Sequence, residues 1–165
     1  MSEEPQRVFE DVSVGDALAD LVKGPLSPAH LMRWSSAIEN WHRIHYDRPY
    51  AIEHDRLPDI LVSGSWKQHV LLQLLSRWAG KGGWAWQVRL QFRAMNVPGE
   101  VLTAWGRVAG LQRAGAFGLA DLEIGIRNEA GAESTPGSAR VLLPVRGGPP
   151  VPRPFTPDVV PRALR

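Results

Sequence analysis

Residues 60–78, ILVSGSWKQHVLLQLLSRW, contain the most apolar run of the chain and decide its fold. The small residues at positions 63–65 are typical of a helix start, and a helix is predicted from about Trp66 to Trp78. Its apolar side chains recur at helical spacing on one face: Trp66, Val70, Leu71, Leu74 and Trp78, widened by Leu72 and Leu75. A surface helix needs a narrower stripe, so this helix is predicted to be mostly buried.

The segment before this helix, residues 40–51 (NWHRIHYDRPYA), is rich in titratable side chains: two histidines, two arginines and one aspartate, together with an amide. A first helix, predicted to begin at Ser27-Pro28 and to end near Glu39, leads directly into it. A titratable cluster beside a buried element is what a catalytic site needs. A charged surface turn that happens to carry histidine is the alternative interpretation.

The second half of the chain alternates between apolar and polar residues, which is the pattern of strands. Four such runs are separated by glycine and polar residues: 84–94, 101–111, 116–127 and 138–145. A first strand is predicted at residues 17–23. One strand, two helices and then a meander of four strands predict an α+β fold, in which a curled antiparallel sheet wraps around one long buried helix.

The length of 165 residues predicts one domain, which is placed at residues 8–146. Residues 1–7 are expected to be a disordered N-terminus. Residues 147–165 are rich in proline and lack periodicity. This predicts an extended C-terminal tail that can lie across a neighbouring subunit.

The composition argues against several classes of protein. The chain has no cysteine, so it has neither a disulfide framework nor a thiolate zinc site, which fits a cytoplasmic protein. It has no apolar run of about eighteen residues that would predict a membrane span, and its acidic N-terminus is unlike a secretory signal. The formal net charge is +2, and the positive residues are scattered, so nucleic acid is not expected as a partner.

The motifs resemble those of a known family. The order of elements resembles the hot-dog fold, and within that fold the residues resemble the MaoC-like dehydratases, also called (R)-specific enoyl thioester hydratases. Phe9–Asp16 (FEDVSVGD) is similar to their opening segment, and the stronger match is Ile44–Ala51 (IHYDRPYA) followed by Leu61–Gly64 (LVSG). The form HRIHYD at residues 42–47 looks most like the branch that includes mesaconyl-CoA-type hydratases. The resemblance covers about residues 8–146.

The resemblance implies reversible addition of water to a 2-enoyl thioester, the activity of an (R)-specific enoyl-CoA hydratase or 3-hydroxyacyl thioester dehydratase. The acyl group would be carried by coenzyme A or by acyl carrier protein, and no cofactor or metal is implied. A homodimer or higher homo-oligomer is expected, and a heterodimer is possible. Because some family members only shape the ligand site of a partner, a non-catalytic subunit of a heteromeric dehydratase, or an acyl-CoA-binding partner of one, is the alternative.

The family signature assigns candidate catalytic residues when it is laid on the chain without gaps. Its acid–base histidine falls on His45, whose imidazole titrates near neutral pH. Its catalytic aspartate falls on Asn40, which cannot accept a proton but can orient water. The missing second group is expected to come from His42 or Asp47. The alternatives are a loop hydrogen bond for His42 and capping of backbone N–H groups for Asp47.

The start of the buried helix supplies the candidate oxyanion donor. The backbone N–H of Gly64 is expected to face the thioester oxygen, because the first amides of a helix favour an anion. Five further side chains are candidates for substrate binding: Trp41, Arg43, Arg48, Ser63 and Trp66. The tryptophans would line the acyl pocket or simply belong to the core, and the arginines would meet coenzyme A phosphates or remain solvated. Ser63 would bind substrate or cap the helix, of which capping is the expected role.

Two other enzyme classes fit the sequence less well. A hot-dog thioesterase usually needs a carboxylate on or near the buried helix, and residues 63–78 contain none. His45-Tyr46-Asp47, followed at a distance by His54 or His69, matches the ligand pattern of some iron oxygenases. That pattern is short, and the predicted fold lacks the barrel such a metal site would need.

Overall fold

The computed structural model describes residues 6–164, and its framework is one antiparallel sheet with two helices. The elements are β1 (Leu21–Lys23), α1 (Pro28–Ala37), α2 (Gly64–Ala79), β2 (Trp84–Leu90), β3 (Leu102–Ala114), β4 (Phe117–Asn128) and β5 (Glu133–Pro144). The sheet curls around α2, which packs against β2, β3, β4 and β5. The predicted α+β fold with a curled sheet around a buried helix is therefore confirmed.

The order of the strands differs from the predicted meander. The sheet runs β1-β3-β4-β5-β2, so only β3, β4 and β5 follow one another as a meander. β2 pairs antiparallel with β5 at the far edge, with Trp84 opposite Leu142. Residues 91–101 then carry the chain from this edge to β3. Alternation identifies a strand but not its neighbour, which is why the predicted four-strand meander was wrong.

The first helix begins at Pro28 as predicted, and the second begins at Gly64, two residues before the predicted Trp66. Ser27 caps α1: its Oγ accepts the N–H of His30, and the Nδ1 of His30 accepts the N–H of Ser27. α2 buries the predicted stripe, with Leu71 and Leu75 fully enclosed by the sheet. Among residues 6–164, no helix is long and apolar enough to cross a membrane.

The C-terminal tail packs on the sheet of its own chain, and its predicted position across a neighbouring subunit stays a prediction. Val151 and Val160 are buried against an apolar cluster that includes Phe117. The ring of Phe155 stacks on Trp84 at 5.8 Å between centroids. The physical reason is that one end of the sheet face away from α2 is apolar, at Phe117, Leu119 and Leu142, so covering it removes that surface from water.

At the other end, residues 1–5 of the predicted disordered segment lie outside the described residues. The last two, Gln6 and Arg7, contact the carbonyl end of α2. The side chain of Gln6 donates to the carbonyl of Ala79 at 3.1 Å, and that of Arg7 donates to the carbonyl of Trp78 at 2.9 Å. These bonds satisfy carbonyls that have no partner within the helix.

Candidate active site

His45 ends a short 3₁₀ turn and is held by the strip of chain that leads into α2. Its Nδ1 lies 2.9 Å from the carbonyl oxygen of Leu61, and the N–H of Leu61 donates to the carbonyl of Ile44 at 2.8 Å. Because a carbonyl can only accept, Nδ1 is assigned the proton, and Nε2 keeps its lone pair. The fold therefore presents the imidazole as a base with a fixed orientation.

The surroundings of His45 favour its neutral form. Burial is the main cause that lowers the pKa of His45, and the nearby charge of His42 lowers it further, whereas the hydrogen bond to Leu61 opposes both. The two imidazole rings are 6.0 Å apart between centroids. A half-buried imidazole with a lowered pKa is unprotonated at neutral pH and can accept a proton.

A narrow crevice connects His45 with the start of α2. It is lined by Leu26, His30, Leu31, Trp34, His45, Val62, Ser63 and Trp66. Its enclosed part offers about 10 Å³, which is about the space of one water molecule. It adjoins a wider, open pocket of about 410 Å³ that shares Leu26, His30, Trp34 and Trp66 with it.

The hydroxyl of Ser63 does not cap α2, which corrects the expected role of this residue. It lies instead 2.7 Å from the hydroxyl of Ser65, which also accepts the indole N–H of Trp34 at 2.9 Å. This chain of polar groups ties α1 to the first turn of α2. Gly64, the first residue of α2, lies between Ser63 and Ser65, and its N–H has no acceptor in the helix.

Asn40 and Trp41 do not line the crevice. The Oδ1 of Asn40 accepts the backbone N–H of His42 at 3.2 Å and so closes the loop that follows α1. The side chain of Trp41 is 59% exposed, so it is neither core nor a wall of the crevice. The predicted catalytic role of Asn40 has no support from its position in the structure.

Asp47 and the two arginines also lie outside the crevice, and each is paired with an opposite charge. Asp47 forms an ion pair with Arg43 at 2.6 Å and accepts the N–H of Tyr50 at 3.1 Å. The hydrogen bond from Arg43, and then the one from Tyr50, lower the pKa of Asp47. Arg48 binds Asp59 through two hydrogen bonds of 2.8 and 2.9 Å. These contacts match the capping alternative for Asp47. Both arginines are exposed and bind carboxylates, and their predicted contact with coenzyme A phosphates stays a prediction.

Three side chains near the site were not predicted from the sequence: His30, Trp34 and Lys67. The Nδ1 of His30 accepts a backbone N–H, so its Nε2 carries the proton and can donate into the crevice. Lys67 lies in the first turn of α2 and is only 2% exposed. Burial lowers the pKa of Lys67 to about 8, against the attraction of Glu100.

The iron-oxygenase pattern does not come together in the structure. His54 contacts Asp55 at 2.7 Å, and His69 lies beside Trp34 with ring centroids 5.0 Å apart. Within residues 6–164, no group of three or more His, Cys, Asp or Glu side chains is placed to hold a metal ion.

Comparison with known families now identifies the relatives of this fold and site. The family model described as hydroxyacyl-thioester dehydratase type 2 matches residues 16–99, half of the chain. The chain belongs to this dehydratase family. The matched range includes His45, the strip around Leu61 and the whole of α2. No curated protein matches the chain by sequence.

Solved structures show how the dehydratase fold is shared. The chain is similar to the "(R)-hydratase from A. caviae involved in PHA biosynthesis", with 25% identity, a TM-score of 0.73, and 82% of this chain and 99% of that chain covered. It is similar to the MaoC-like dehydratase from Rhodospirillum rubrum, with 18% identity, a TM-score of 0.74, and coverage of 85% and 98%. The ChsH1-ChsH2 complex from Mycobacterium tuberculosis matches at 18% identity, with a TM-score of 0.70 and coverage of 79% and 98%. The predicted hot-dog fold and MaoC-like family are thereby confirmed, and the mesaconyl-CoA-type branch stays a prediction.

Proposed function

We propose that this dehydratase-family protein catalyses reversible, (R)-specific addition of water to a 2-enoyl thioester. One observation carries the proposal: the Nδ1–H of His45 is fixed by the carbonyl of Leu61, which leaves Nε2 as a free base in the crevice beside the start of α2. A base that is both oriented and neutral is what the addition of water requires.

The proposed reaction uses His45 twice. Its Nε2 takes a proton from water while the water oxygen bonds to the β carbon of the enoyl group. The electrons of the double bond move towards the thioester carbonyl, and the resulting enolate oxygen accepts a hydrogen bond from the N–H of Gly64. The imidazolium then returns its proton to the α carbon, which balances the reaction. A single imidazole can serve both steps, so the carboxylate missing at Asn40 is not essential to this scheme.

The alternative proposal is a non-catalytic subunit of a heteromeric dehydratase. It is favoured by the amide at Asn40, where the family signature has an aspartate, and by a crevice with room for about one water. The similarity to one chain of the ChsH1-ChsH2 complex shows that the fold occurs in a complex of two different named chains.

An activity assay with the purified chain separates the two proposals. Butenoyl-, hexenoyl- and octenoyl-CoA are supplied, the loss of the enoyl absorbance is followed, and the configuration of the product is determined. Formation of (3R)-hydroxyacyl-CoA supports the hydratase. Binding of acyl-CoA, measured by calorimetry, without any turnover supports the non-catalytic subunit.

We also propose that the chain forms a homodimer through β2. This strand pairs with β5 on one side, and among the described residues no strand covers its other edge. Exposed edges of this length are usually paired or blocked in proteins. Light scattering is expected to give twice the chain mass of 18.3 kDa, and a monomer at micromolar concentration would contradict the proposal.

The pH dependence of the activity is expected to follow the neutral form of His45. Because the pKa of His45 is lowered from 6.5, kcat/KM should be constant near pH 7 and should fall as the pH drops below 6.5. His42→Gln removes the charge that helps to lower this pKa, so its acid limb should move to higher pH. A half-maximal rate above pH 6.5 in the wild type would contradict this assignment of the base.

A further inference from the structure

Lys67 is an unusual residue for the position it occupies. It is 2% exposed, and it is the one lysine among residues 6–164 that is buried. Lysine is almost never fully buried unless it is paired. Its Nζ donates to the carbonyl of Ala94 at 2.9 Å, in the irregular segment that connects β2 to β3. Residues 94–100 of this connection are called the crossover segment below.

The crossover segment carries a second buried polar group close to Lys67. The side chain of Asn96, 2% exposed, donates to a carboxylate oxygen of Glu100 at 2.7 Å. Its Oδ1 is buried without a hydrogen-bond partner among the described residues. The carboxylate of Glu100 attracts the ammonium of Lys67. Lys67 thus contacts both ends of the crossover segment: it donates a hydrogen bond to Ala94 at the beginning and is attracted by the charge of Glu100 at the end.

The crossover segment in turn holds two walls of the crevice. The N–H of Val62 donates to the carbonyl of Asn96 at 2.9 Å. The N–H of Leu26 donates to the carbonyl of Glu100 at 2.9 Å, and the carbonyl of Leu26 accepts the N–H of Gly99 at 2.7 Å. Val62 directly follows Leu61, whose carbonyl fixes the imidazole of His45. A continuous series of contacts therefore runs from Lys67 to the candidate base.

We propose that Lys67 is a positioning residue for His45, acting through the crossover segment and the strip at Leu61-Val62. The proposal rests on the function proposed above for His45. Lys67 does not line the crevice, so it acts on the reaction only by fixing the carbonyl that orients the imidazole. A small displacement of the imidazole would be costly, because a misplacement of a catalytic group by about 1 Å can reduce a rate roughly a hundredfold.

A comparison with a core substitution on the same helix distinguishes this role from ordinary support of the fold. A buried ammonium carries a desolvation penalty, but removing one member of a buried polar contact is destabilising, because its partners are left unpaired. Lys67→Met keeps most of the length of the side chain and removes its charge and its N–H groups, which leaves the carbonyl of Ala94 and the carboxylate of Glu100 without this partner. We therefore expect a lower thermal midpoint for this variant, together with a loss of the His45 orientation that a core substitution of similar cost does not cause.

The test compares Lys67→Met with Val70→Ala, a core substitution one turn further along α2. Three quantities are measured on the full chain: the thermal midpoint, the ¹⁵N NMR tautomer signature of His45, and kcat/KM for an enoyl-CoA. For Lys67→Met we expect a lower midpoint, comparable with that of Val70→Ala, a mixture of His45 tautomers, and a roughly tenfold to hundredfold lower kcat/KM. For Val70→Ala we expect a lower midpoint, whereas the His45 tautomer signature and kcat/KM should remain those of the wild type.

Two results would overturn the proposal. One is a Lys67→Met variant with the wild-type tautomer signature and wild-type kcat/KM. The other is a decrease in kcat/KM that parallels the decrease in the thermal midpoint in both variants. If the wild type has no turnover, the proposed function fails, and the NMR signature alone decides the positioning role. If Lys67→Met does not fold, Asn96→Ala is measured by the same three criteria.

Discussion

Replacing His45 by alanine is expected to reduce kcat for enoyl-CoA hydration by roughly 10²- to 10⁴-fold, the usual contribution of a positioned acid–base group. In the proposed reaction, His45 both takes the proton from water and returns it to the α carbon, so its loss removes both transfers. The rate is measured from the enoyl absorbance at saturating substrate. Binding of acyl-CoA should change little, because His45 is only one of the eight residues that line the crevice.

Asparagine at position 45 separates the base from its structural role. The amide nitrogen of asparagine occupies about the place of Nδ1 and can still donate to the carbonyl of Leu61, but asparagine cannot accept a proton. His45→Asn should therefore fold like the wild type and be as inactive as His45→Ala. Substantial activity in the asparagine variant would show that His45 only positions the loop.

His42→Ala is the matched control for these variants. Its imidazole lies in the same loop, with its centroid 6.0 Å from that of His45, and it is exposed. If His42 supplied the second acid–base group, its removal would be as damaging as the loss of His45. We expect a change of less than about tenfold, because the crevice is not lined by this side chain.

The fold was predictable to the extent that burial leaves a periodic trace in the sequence. The stripe along α2 and the alternation in the strands both record which side chains face the core. The partner of β2 has no such trace, since residues 91–101 lack any pattern that would reveal the crossing to β3. The packing of the tail was not predicted for a similar reason: Val151 lies between two prolines, and Val160 belongs to a two-residue apolar run that is too short to show a period.

The candidate site was predictable in its components and not in its contacts. The resemblance picked out His45, yet the partner of its imidazole is a backbone carbonyl 16 residues away, which no side-chain pattern encodes. The pairing of Arg43 with Asp47 was accessible, because opposite charges four residues apart meet on a helical turn. The burial of Lys67 was accessible too, since it precedes Leu71, Leu74 and Trp78 at helical spacing.

Replacing Gly64 by proline is expected to remove the oxyanion donor without damaging the helix. Proline is favoured at the first position of a helix, where its missing N–H has no helical acceptor in any case. The residue before a proline must be extended, and Ser63 already has φ −62° and ψ 138°. The backbone therefore accepts proline here, and the substitution deletes one N–H group.

Gly64→Ala is the control that makes the proline variant interpretable. A Cβ at this position would lie 3.2 Å from the ring of Phe92, and because that ring is 55% exposed it has space to move away. Both variants share this contact, but alanine keeps the N–H group. The ratio of their rates thus removes the Cβ contact from the comparison and reports the loss of the N–H group together with the ring carbon that replaces its hydrogen.

We expect kcat of Gly64→Pro to be roughly 10²- to 10³-fold below that of Gly64→Ala, the usual effect of losing one oxyanion donor. The KM values should differ much less, because the bond strengthens mainly as negative charge develops on the oxygen. Circular dichroism and the thermal midpoint verify that α2 is intact in both variants. Equal rates would mean that another donor near the start of α2 binds the oxygen, and His30, whose Nε2–H can donate into the crevice, would then be the residue to replace.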